Sequence, residues 1–144
     1  RLARDLDLPL IFHERDSQGR LVELITEHVG RDLQGVVHCF SGNRTDLEAV
    51  LNLGLHVGIT GILTLRQRGA ELREMVRSIP ADRILVETDG PYLTPAPEKN
   101  RTRRNEPAFV RSVFYKLAEV RGDNPQDLAP TVWGNTHRLF RITD

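Results

Sequence analysis

The chain has 144 residues, of which 39% are hydrophobic and 28% charged; that suffices for one ordinary core and is too apolar for a disordered chain. Twenty basic residues balance twenty acidic ones, so no global field draws it to nucleic acid, and any polyanion has to be held by local clusters. The single cysteine, Cys39, excludes an internal disulfide and fits the reducing cytoplasm, and no apolar run approaches the roughly 20 residues of a membrane span.

Four short β-rich runs follow one another: Leu8 to His13, Gly35 to Phe40, Leu55 to Thr60 and Arg83 to Thr88. Between them, apolar residues recur at helical spacing. Ser17 to Val29 carries Leu21, Leu24, Ile25 and Val29, with Gly30 as a stop. Asn43 to Leu53 carries Leu47, Val50 and Leu51 before Gly54, and Arg66 to Ile79 carries Leu72, Met75, Val76 and Ile79 before Pro80. The strand ends at His13, His38, Thr60 and Thr88 are 25, 22 and 28 residues apart. That βα rhythm predicts an α/β fold of parallel strands with right-handed helical crossovers, in one domain over residues 1–144.

After Thr88 the pattern changes. Asp89 to Pro107 is a long segment rich in proline and basic residues, of the kind that is usually functional or mobile. Asn105 reads as the N-cap of a helix running to about Val120, with Glu106 and Pro107 in its first turn. Gly134 to Ile142 reads as a short closing helix.

Chemistry in parallel βα proteins collects where strands give way to loops at their C-terminal ends. Three of the four runs end there in a side chain able to bind metal: His13, His38 and Asp89. Two imidazoles and a carboxylate form a common donor set for a divalent cation. Taken singly, each also has a plainer role, a histidine as a hydrogen-bonded rim residue and an Asp before Gly-Pro as a turn former. Glu87 stands two residues before Asp89, so a continuous strand would place both acids on one face, and a buried acid pair needs a partner. Cys39 would face away from His38 and pack against helices. His28, His56 and His137 read as structural or surface residues.

The segments LPLIFHERD, GVVHCFSG, VGITG, ILVETDGPYL and RRNEPAFV occur in this order, and together they resemble the C-terminal half of the TatD family of metal-dependent deoxyribonucleases, which belong with the amidohydrolase-like (βα)8 barrels. The resemblance implies that the four strands are strands five to eight of a TIM-type barrel. It implies His13, His38 and Asp89 as ligands of Mg, Mn or Zn, with Asp89 also helping to activate the attacking water. Glu87 would be a supporting acid, and Arg15, Arg103 and Arg104 would lie near substrate phosphates. Solvated loop arginines, or an ion pair of Arg15 with Glu14 or Asp16, remain the alternatives for these cations. Gly58 and Gly61 either let backbone approach the substrate or form a tight turn. DNA, single-stranded or at duplex ends, is the implied substrate.

The family's His-x-His of strand one and its glutamate of strand four do not occur in this sequence, which opens on Arg1. A barrel of this type takes about 250 residues. The expectation is therefore a half-barrel with little activity of its own, poorly folded, dimeric or prone to aggregation unless the N-terminal half is supplied. Two other readings stay open: an amidohydrolase-type enzyme acting on esters or amides, and a non-catalytic half-barrel that needs a partner chain.

Overall fold

The structure, a computed structural model, describes residues 2–28 and 33–143. A short helix α1 (Leu2–Asp5) leads into β1 (Leu10–His13), followed by α2 (Arg20–His28), β2 (Gly35–His38), α3 (Arg44–Asn52), β3 (His56–Ile59), α4 (Ala70–Met75) and β4 (Ile84–Val86). The chain closes with α5 (Ala96–Lys99), α6 (Val110–Arg121) and α7 (Pro125–Phe140). The four strands form one parallel sheet in the order β1-β2-β3-β4, and His13 lies opposite His38 in the register of the first pair. The parallel α/β architecture expected from the βα rhythm is the one observed.

Strand pleating sorts the side chains onto two faces. Val37, Val57, Ile59 and Ile84 turn toward the helices and join Leu47, Val50, Leu72, Met75, Val113 and Leu117 in the main core. On the other face Val36 and Leu85 meet Leu139 and Phe140 from the end of α7. His38 and Glu87 follow Val36 and Leu85 at the same parity, so the polar ends of this second face stand at the C-terminal rim of the sheet.

Each strand is shorter than its sequence run. Pro9 has no N–H to give to a ladder, and Leu8 donates instead to Ala3 O at 2.8 Å. Cys39 leaves β2 with a φ of +51°, and the Thr60 side chain caps a 3-10 turn over Gly61–Thr64. The strand expected through Thr88 stops at Val86, although Glu87 N–H still bonds Ile59 O at 3.0 Å. Glu87 and Asp89 therefore do not share a strand face.

The helices also depart from the periodicity. Asn43 and Asp46 cap α3 reciprocally, a capping box that holds its start where expected. For α2, the expected end at Val29 and Gly30 lies outside the described residues. The run from Arg66 is helical only from Ala70, because Arg73 folds back to donate to Leu63 O, Leu65 O and Arg66 O and occupies the carbonyls of the preceding turn. It ends in a 3-10 turn at Val76–Ser78. The closing helix begins at Pro125, well before Gly134, with Asn124 as its N-cap. Pro130 and Gly134 disguise it in sequence, yet burial of Leu128, Val132 and Leu139 outweighs their low propensity. Asn135, fully buried, donates to Ala81 O and Ile84 O and so ties α7 to the start of β4.

Candidate functional site

His38 is the centre of the polar rim. It ends β2, and its ring lies between two carboxylates: Nδ1 donates to Glu87 Oε2 at 2.8 Å, and Nε2 stands 3.2 Å from Asp89 Oδ1. Both acids thus meet the same imidazole, which answers the burial cost of two neighbouring carboxylates. They reach it by different routes. Glu87 extends the inner face of β4, and its second oxygen accepts the Cys39 N–H. Asp89 arrives from the loop, turned back by a backbone φ of +59°.

Two glycines make the room for this. A Cβ on Gly58, in β3, would run into the Glu87 carboxylate, and a Cβ on Gly61 would run into the carbonyl of Leu93. Close approach is therefore the role of both, Gly58 toward a site acid and Gly61 toward the loop that bears Asp89.

Asn105 is the residue that sequence reasoning assigned to the wrong task. Rather than capping α6, it is buried, and its side-chain amide donates to Thr88 O and Tyr92 O at 2.7 Å each. Its backbone N–H bonds Pro91 O, while among the described residues its side-chain oxygen accepts only the adjacent Glu106 N–H. A 3-10 turn over Pro107–Phe109 then leads into α6. The Asp89–Pro107 segment is accordingly stapled rather than loose, with further bonds from Thr94 to Arg103 O and from Ala96 N–H to Thr64. The two carbonyls lie 17 and 13 residues away along the chain, so no local signal marks Asn105 for this role.

A cavity of about 440 Å³ opens over the rim and is lined by His13, Arg15, His38, Cys39, Arg68 and Asp89 among others. His13 is exposed, and its ring centroid lies 6.0 Å from that of His38. Among the described residues no three His, Cys, Asp or Glu side chains are grouped closely enough to hold one ion together. The donor chemistry nevertheless fits a divalent cation. Two donors on one tetrahedral ion lie about 3.3 Å apart, close to the His38–Asp89 separation, and a carboxylate on the far ring nitrogen is the usual support of a ligating histidine. Two imidazoles on such an ion would place their centroids at about 5 Å, and the His13 and His38 rings stand wider than that at 6.0 Å.

The expected substrate cations divide. Arg15 is exposed at the cavity and pairs with neither Glu14 nor Asp16; Glu14 instead accepts the Ser17 N–H. Arg103 lines a neighbouring cavity, and Arg104 is exposed on the same loop. Arg68, which sequence reasoning passed over, lines both cavities. Cys39 packs against the core as expected but also borders the site; burial pushes its thiol up, against the opposing Thr60 hydroxyl, so it stays protonated near neutrality. His28 is exposed on α2 and His137 stacks on Trp133, while burial first and Arg83 second pull His56 down and keep it neutral. None of these three enters the site.

Burial alone would pull the His38 pKa down, but the Glu87 hydrogen bond and charge, with Asp89, more than reverse this and raise it above its ordinary 6.5. A raised folded pKa means that protonated His38 contributes stability fully below about 6.5, and the contribution is lost as pH rises through the folded midpoint. Ligand and proton compete for the same ring. Titration of the His38 ring protons by NMR in metal-free protein should give a midpoint above 6.5, moving down in Glu87→Gln; an unshifted midpoint in both would show that Glu87 does not hold the ring.

Sequence and structure comparisons agree on one family. The sequence model described as TatD related DNase matches residues 1–141. A protein of Rahnella sp. (strain Y9602) named 3'-5' ssDNA/RNA exonuclease TatD is 44% identical over 99% of this chain and 55% of its own length. A solved TatD homolog from Escherichia coli K12, YJJV, is similar with a TM-score of 0.87 at 31% identity, over 99% of this chain and 53% of its own. A hydrolase TatD family protein from Entamoeba histolytica gives 0.85 at 27%, over 99% and 54%. The chain spans about half the length of the relatives it matches.

Proposed function

Because this chain belongs to the TatD related DNase family, we propose that it carries the strand-end face of a metal-dependent nuclease that hydrolyses phosphodiester bonds in DNA. The observation that supports this reading most directly is His38 held between Glu87 and Asp89 at 2.8 and 3.2 Å. His13, His38 and Asp89 would hold the ion, Mg, Mn or Zn. A bound divalent cation supplies Lewis-acid stabilisation of the charge that develops on the phosphoryl group. Asp89 accepts the proton of the attacking water, and Glu87 fixes the His38 ring so that Nε2 faces the cavity. Arg15, Arg103 and Arg104 hold phosphate oxygens. The name of the Rahnella relative extends the substrate to single-stranded DNA or RNA and the direction to 3'-5'. The single cysteine supports a cytoplasmic setting; among the described residues no helix is long and apolar enough to cross a membrane.

The four strands, in this reading, are strands five to eight of a (βα)8 barrel. Both β1 and β4 are sheet edges, and Ile11 on β1 is 63% exposed. Beside β4 lies an apolar groove of about 590 Å³ lined by Val86, Phe114, Val132 and Trp133. Such surfaces favour further strands and helices packed there. The chain alone would then lack donors for a second ion and cleave slowly.

The test joins this chain to the N-terminal half of the Rahnella relative and assays a labelled single-stranded oligonucleotide with Mg²⁺ or Mn²⁺. Expected are cleavage by the joined protein, its loss with EDTA, and little cleavage by the chain alone. Chelator-sensitive hydrolysis of small esters without cleavage of DNA would replace the nuclease by another amidohydrolase-type activity.

A further inference from the structure

Next to the His38 cavity lies a second one of about 420 Å³, lined by Arg68, Tyr92, Leu93, Thr94, Lys99 and Arg103 among others. Arg68, Tyr92 and Leu93 line both, so the two cavities form one continuous trough with Tyr92 on the ridge between them. The second cavity has three cations and no carboxylate in its lining, and none of the three forms an ion pair among the described residues. In a chain whose charges cancel overall, such a local excess of positive charge is a place for a polyanion.

The ridge residue is presented rather than merely left outside. Tyr92 is 70% exposed, yet its backbone is fixed at both ends: its N–H bonds Asp89 O at 2.9 Å and its carbonyl accepts from Asn105 at 2.7 Å. An aromatic ring on a fixed backbone, flanked by unpaired cations, is the arrangement on which a single-stranded nucleic acid stacks a base while cations hold its phosphates. A duplex offers no free base face along its length, so the ridge favours an unpaired strand.

We propose that this second cavity is a separate strand-binding subsite, in which Lys99, Arg103 and Arg68 hold a phosphate next along the chain from the one at His38, and Tyr92 stacks the base between them. The assignment rests on the nuclease reading for its substrate class, but the subsite belongs to this chain's own residues and is read by binding without any cleavage.

The experiment measures fluorescence anisotropy of 5'-labelled oligothymidylates of one to six nucleotides with the joined protein, freed of metal. Affinity should step upward once the strand is long enough to enter both cavities. Lys99→Gln with Arg103→Gln should lower hexamer affinity about tenfold or more and reduce the slope of log affinity on log salt by about 0.7, the share of the one phosphate they hold. Tyr92→Ala should weaken the hexamer several-fold and leave a blunt duplex of the same length unaffected. Arg83→Gln, at the other end of β4, controls for loss of any arginine, and circular dichroism checks that each variant folds. No step with length, an unchanged salt slope, equal loss for Arg83→Gln, or no binding by the folded joined protein without substitutions would each overturn the subsite. Failure of the joined protein to cleave, with the length step intact, would count against the nuclease reading alone.

Discussion

Asp89→Asn is expected to lower metal-dependent cleavage by the joined protein by about 10²–10⁴-fold, with a smaller change in KM. The substitution keeps the size of the side chain and an oxygen for the ion but removes the charge, and with it the proton acceptor. Asn tolerates the left-handed backbone at this position better than most residues, and the Tyr92 N–H bond to the residue-89 carbonyl is a main-chain contact that the change does not touch. Loss of activity would therefore report chemistry rather than a collapsed loop. Mn²⁺ affinity, measured by calorimetry on the chain itself, should fall in the same variant. Wild-type kcat in Asp89→Asn would remove Asp89 from the reaction and leave it as a turn residue.

Asn105→Ala should produce the largest loss of stability of any single change near the site. It leaves the carbonyls of Thr88 and Tyr92 without their donor at two part-buried bonds, at about 1–2 kcal/mol each, the lower part of the range for a lost partner. The sum, roughly 2–4 kcal/mol, corresponds to a Tm lower by about 5–15 °C for a domain of this size. Because these two carbonyls flank Asp89, Mn²⁺ affinity should fall as well, although Asn105 touches no ion. Asn105→Asp separates the effects of size and donation: the shape is kept, but an acceptor then faces two acceptors, so it should be at least as harmful as Ala. A thermal shift below about 1 °C in both variants would show that the staple is not what holds the loop.

Much of the fold was legible because parallel βα units impose their period on the sequence. The apolar runs and their spacing gave four parallel strands, and His13 and His38 stand opposite each other because equivalent strand ends lie at equivalent register. The donor types at those ends, nitrogen and oxygen, were equally a matter of residue identity. Boundaries were less legible. Arg73 takes the carbonyls that would have begun α4, and tertiary burial carries α7 through Pro130 and Gly134.

What the sequence by itself determined, then, is which residues carry nitrogen and oxygen donors and which strands they follow, since periodicity and side-chain chemistry are local. Only the tertiary structure decided how they meet. Glu87 and Asp89 seemed to converge because a strand alternates; they converge because Asp89 turns back under a loop that Asn105 staples and Gly61 admits, while Glu87 fits over a glycine of the neighbouring strand. The same folding joins Arg68 to Lys99 and Arg103, which are far apart along the chain, in one cavity. Contacts of that kind depend on hydrogen bonds and close approach between distant segments, and no local pattern of residues encodes them.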